Sequence, residues 1–86
     1  MDTPTLLQTG PETFLVLTGR GERVTVTLPL QLRRGLGLEA VPPLTVATEI
    51  VRFLHEHGDR PDPGTSLAAA AGRYPGFVEE LRSRLA

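Results

Sequence analysis

The chain has 86 residues, 40% of them apolar, a formal charge of −1 and no cysteine. A single domain of this size buries only about 60% of the surface its unfolded chain exposes, so its stability margin is thin and further burial as a homodimer is expected. Without cysteine there is no disulfide framework, no thiolate metal site and no thiol nucleophile, and no apolar run approaches the roughly 20 residues that cross a bilayer. The start of the chain lacks the basic-then-apolar form of a secretion leader, so the expected compartment is the cytoplasm and no membrane partner is expected.

Every basic residue apart from the two histidines is arginine, and lysine is absent. With the abundant Ala, Gly, Pro and Leu, that bias looks like coding from a GC-rich bacterial genome. Near-neutral charge argues against an indiscriminate nucleic-acid binder, whose affinity would rest on neutralising phosphates. The distribution is uneven, however. Residues 20–34 hold Arg20, Arg23, Arg33 and Arg34 against Glu22, whereas residues 35–63 hold Glu39, Glu49, Glu56, Asp59 and Asp62 against Arg52 and Arg60.

In chain order, residues 1–12 carry Leu6 and Leu7 as their one apolar pair and suit a frayed start or a short edge segment. Residues 13–18 and 23–28 are rich in β-branched and aromatic types, and Gly19-Arg20-Gly21-Glu22 between them can reverse the chain, so a β-hairpin is expected. Val24, Val26 and Leu28 alternate with Arg23, Thr25 and Thr27, the pattern of a half-buried sheet. Pro29 suits the opening of a short helix over 30–36, closed by Gly37, with Leu32 and Leu36 as its buried stripe. After the Pro42-Pro43 connector, a helix is expected over 46–57, capped by the Thr45 hydroxyl, with Val46, Ile50, Phe53, Leu54 and His57 at helical spacing and Gly58 as its stop. Residues 58–64 read as a loop, Thr65 and Ser66 offer a cap for an alanine-rich helix, and a last helix covers 77–85 with Arg82 and Arg84 near its C-terminus. The predicted class is α+β: an N-terminal β-hairpin, then a short helix and a three-helix C-terminal half, in one domain.

Residues 67–81 place a minimal side chain, Ala68, one turn before Gly72, which can end a helix in the left-handed conformation. Val78 and Leu81 can then fold back against Leu67 and Ala71. This segment resembles the helix-turn-helix of bacterial DNA-binding regulators, and the resemblance implies that the helix over 77–85 enters a major groove with Arg82 and Ser83 near phosphates or base edges. Glu79 and Glu80, early in that helix, would repel phosphate. Upstream, Leu28-Pro29, Leu32-Arg33 and Leu36-Gly37-Leu38 look like the core segment of the AbrB and MazE family of swapped-hairpin regulators and antitoxins. That resemblance implies a strand-swapped dimer presenting arginines to DNA. The family continues into a second strand pair, where this chain has prolines followed by a helical pattern.

Catalysis finds little support. His55 and His57 stand at i, i+2 and point apart on a helix, so they are not a helical metal pair, and no motif surrounds Ser66, Ser83 or the threonines as nucleophiles. Glycines 19, 21, 35 and 37 bracket a turn and a helix end rather than a phosphate loop. The expected function is therefore a small, non-enzymatic DNA-binding regulator or antitoxin-like protein without a cofactor. Its DNA contacts would be Arg20, Arg23, Arg33 and Arg34 on phosphate, with Arg73, Arg82 and Ser83 as secondary contacts. The rival expectation is a protein-interaction module or accessory subunit, docking by its helices or by the exposed edge of its hairpin.

Overall fold

A computed structural model describes residues 4–18, 21–59 and 66–85. The alternating, β-branched segments form strands β2 (Thr13–Leu17) and β3 (Arg23–Thr27), and the Leu6-Leu7 pair lies in a further strand, β1 (Thr5–Gln8). All three pair antiparallel in the order β1-β2-β3, so the expected hairpin is the larger part of a three-stranded sheet and the early residues supply one of its edges. The register sets Leu6 opposite Val16 and Leu7 opposite Leu15, then Phe14 opposite Val26 and Leu17 opposite Arg23. Leu6, Phe14, Val16 and Val26 are buried on one face; Thr5, Leu7, Leu15, Leu17, Arg23 and Thr25 stand on the other.

Helix α1 (Leu30–Gly35) follows Pro29, and α2 (Pro43–Glu56) begins at the second proline of the connector, three residues earlier than expected and without a side-chain cap from Thr45. Proline loses nothing at a helix's first position, where its missing N–H would have had no partner. Along α2, Val46, Ala47, Ile50, Val51, Phe53 and Leu54 are all buried. That broad stripe lets one helix pack under β1 while also receiving α3 (Leu67–Ala71) and α4 (Phe77–Leu85). Leu28, Leu38, Leu67, Ala71, Phe77 and Leu81 complete the core. His57 does not continue the stripe; it is exposed, with its ring against Phe53 at 4.3 Å between centroids.

Three packing expectations are overturned. In α1 the inward residue is Arg33, 7% exposed, whereas Leu32 is 38% exposed and Leu36 half-buried. The helix is held at both ends by remote groups and rolls so that Leu30, Arg33 and Leu36, spaced by three, face inward, with the aliphatic stem of Arg33 serving as core. In α4 the inward pair is Phe77 and Leu81, and Val78 is 37% exposed. Phe77 has the larger apolar area to bury and stacks edge-on against Phe53 at 5.3 Å. Between α3 and α4 the left-handed residue is Gly76 (φ 76°), not Gly72. The chain first makes a tight turn in which the Tyr74 amide donates to the Ala71 carbonyl, and reverses only later.

Candidate functional site

The arginines expected to gather on DNA are placed in different ways. Arg23 is exposed on the outer sheet face, opposite Leu17. Arg33 lies inside the fold, where its Nη1 donates to the Val41 carbonyl at 3.4 Å and its buried Nε has no partner among the described residues. In this position the guanidinium ties α1 to the connector before α2. Arg34 faces Glu39 at 3.5 Å, and Arg73 pairs with Asp59 at 3.2 Å. Ser83 is exposed on α4. Arg20 lies outside the described residues.

Arg82 has a role the sequence did not disclose. Its Nε donates to the Leu36 carbonyl at 3.0 Å, reaching back from α4 to the C-terminal end of α1. At the other end of α1 the Leu30 amide donates to the Glu12 carboxylate at 2.7 Å. A carboxylate at the N-terminus and a guanidinium at the C-terminus both complement the helix dipole. Glu12 supplies the side-chain cap that Pro29 cannot, and Arg82 takes the Leu36 carbonyl beyond the turn in which the Gly37 and Leu38 amides donate to the Arg34 and Arg33 carbonyls at 3.0 and 2.8 Å.

The helical half binds its other charges internally as well. Arg84 donates to Glu56 through both terminal nitrogens, at 3.0 and 2.7 Å, and to Glu80 through Nε at 3.1 Å. The hydrogen bond from Arg84 holds the Glu56 carboxyl below its ordinary pKa, and the same bond raises that of Arg84. Tyr74 donates its hydroxyl to Asp59 at 2.7 Å, and this bond raises the phenol's pKa. A shallow open groove of about 240 Å³ runs over Gly72, Tyr74, Gly76, Phe77, Val78 and Glu79. Glu79 is the charged residue in its lining.

The outer face of the sheet is built differently. Leu7, 50% exposed, sits directly across from Leu15, and Leu17 lies next along β2 between Thr5 and Arg23. Leu7 is exposed and Leu15 and Leu17 half-buried, so the three form an apolar row on the outer face, with Arg23 the charge beside them among the described strand residues. Sequence reasoning passed over them because it followed the clean alternation of β3. The available signal was the uninterrupted run Phe14-Leu15-Val16-Leu17, which is apolar on both faces of its strand and marks a strand suited to being covered on both sides.

Compared with known proteins, the chain matches no family model, no curated protein and no solved structure.

Proposed function

We propose that this chain is a small protein-interaction module, an accessory or docking subunit whose contact surface is the outer face of the sheet together with the open edge of β1. The observation that carries this reading is the row of exposed Leu7 and half-buried Leu15 and Leu17 on the outer face, beside an edge strand without a charge. An extended partner segment adding to that edge would gain main-chain hydrogen bonds and lay alternate side chains on the leucines. The DNA-binding expectation draws less support. Arg33 is used inside the fold, Arg34 and Arg73 face acids, and Arg82 caps α1, so Arg23 remains as an exposed cation without such a role among the described candidates.

Two titrations test the proposal. A fluorescent mixed-sequence duplex, titrated at about 50 and about 200 mM salt, is expected to show no saturable binding; tight binding that weakens steeply with salt would reinstate the regulator. Selection from a library of short peptides is expected to enrich sequences of alternating apolar residues whose binding is lost in the Leu7→Arg variant. Failure to enrich any such peptide, or binding indifferent to Leu7→Arg, refutes docking at this surface.

A further inference from the structure

We infer that the occupant of the β1 edge is a second copy of this chain, paired antiparallel about a two-fold axis at Leu7 so that the two sheets become one. The inference rests on the interaction reading above and adds its partner and register.

The hydrogen-bond pattern gives the first argument. The Thr9 amide donates to the Thr13 carbonyl at 3.0 Å, which makes this a hydrogen-bonded pair. Because such pairs alternate along an antiparallel ladder, Leu7 and Thr5 also bond inward to Leu15 and Leu17. The same alternation runs on the far side of β2, where Thr18 bonds to Glu22 and the Leu28 amide to the Glu12 carbonyl. The amides and carbonyls of Leu6 and Gln8 therefore point off the sheet, with no partner among the described residues.

A second copy satisfies these groups symmetrically. With the axis at Leu7, Leu6 faces the partner's Gln8 and Gln8 the partner's Leu6, and each pair exchanges both N–H···O bonds. Leu7 then meets the partner's Leu7 as a non-hydrogen-bonded pair, the kind whose side chains approach most closely. Leu15 of each copy extends the row, so that each half-exposed Leu7 becomes covered on both sides. A register centred on Leu6 instead sets Pro4, which has no N–H, against the Gln8 carbonyl and leaves Leu7 against a threonine.

Charge supplies the second argument. Thr5-Leu6-Leu7-Gln8 is uncharged, so two copies meet without repulsion, and an acidic or basic partner gains nothing at this edge. Its register is continuous and carries no bulge, proline or charge of the kind that blunts an edge. The opposite edge is defended: β3 begins at Arg23, and Thr27 is bridged in parallel by Ser66. A four-residue edge is short of the roughly 800 Å² per partner of a standard interface, so the dimer is expected to be weak and reversible.

Sedimentation equilibrium of the full chain over a concentration series reads this directly. The wild type is expected to pass from monomer to dimer. Gln8→Pro, which removes an outward amide and leaves the internal ladder intact, weakens association about 10-fold or more. Leu7→Arg and Leu7→Glu are each monomeric, and mixing them restores a heterodimer, because the axis sets the two side chains against each other. As the chain has no cysteine, Leu7→Cys should cross-link readily on oxidation while Thr25→Cys on the same face should not. A wild type that stays monomeric, a dimer indifferent to Gln8→Pro, or an Arg and Glu mixture that stays apart overturns the inference. If the wild type is monomeric and selected peptides still bind at Leu7, the interaction reading survives and only the second copy is lost.

Discussion

The sheet and the helical half dispose of their charged groups in different ways. Among the helices, Arg34, Arg52, Arg73 and Arg84 each lie beside an acid, Arg82 sits on a helix-end carbonyl, and Arg33 is folded inward. On the sheet, Arg23 is exposed across from Leu17, on the same face as the exposed Leu7. Exposed ion pairs are weak and can be exchanged, whereas an apolar face beside an open edge gains from being covered. The candidate site therefore lies in the half with fewer charges, where an arginine count would not have looked.

Several measurements can break or sharpen this contrast. The largest effect is expected from the inner face of the sheet: Phe14→Ala empties a fully buried site and should cost about 3–5 kcal/mol by denaturant unfolding. Leu7→Ala on the outer face should change monomer stability by less than about 1 kcal/mol; parity between the two would mean the outer face is already covered. Next comes Arg33. If its inward charge is poorly satisfied, as the lone 3.4 Å bond and partnerless Nε imply, Arg33→Met should leave stability equal or higher, whereas Arg33→Ala should lose about 1–2 kcal/mol of packing.

Smaller effects belong to the ion pairs. Arg84→Ala should lower stability by about 1 kcal/mol, and by less at high salt, since its partners are partly exposed. The pair also predicts an acid dependence. Because the Arg84 hydrogen bond lowers the folded-state pKa of Glu56, its contribution is present above the ordinary glutamate value and is lost as pH falls below that value through the lowered one. The Arg84→Ala variant should lack that part of the acid transition. Tyr74 gives the opposite sign. Its pKa is raised by the bond to Asp59, so the stabilisation is present below about pH 10 and disappears as pH rises beyond it. Tyr74→Phe should flatten the alkaline limb of a Tm against pH curve.

Much of the architecture was legible residue by residue. Alternation over 23–28, the helical spacing of Val46, Ile50, Phe53 and Leu54, and Gly37 and Gly58, whose φ angles of 72° and 71° end their helices, all carry local physics into the fold. These features depend on periods of two and 3.6 and on backbone freedom, which a sequence displays directly. Which way a short helix rolls is not of that kind. Leu32 and Arg33 are adjacent, and six residues do not build a stripe strong enough to choose between them; the contacts α1 makes at its ends come from Glu12 and Arg82, eighteen and forty-six residues from their partners. The same holds for the arginines. Their number and order could be read from the chain, but whether each met water, an acid or a carbonyl depended on contacts between distant segments, because a guanidinium on a long flexible stem is drawn to whichever acceptor the packed elements bring within its reach.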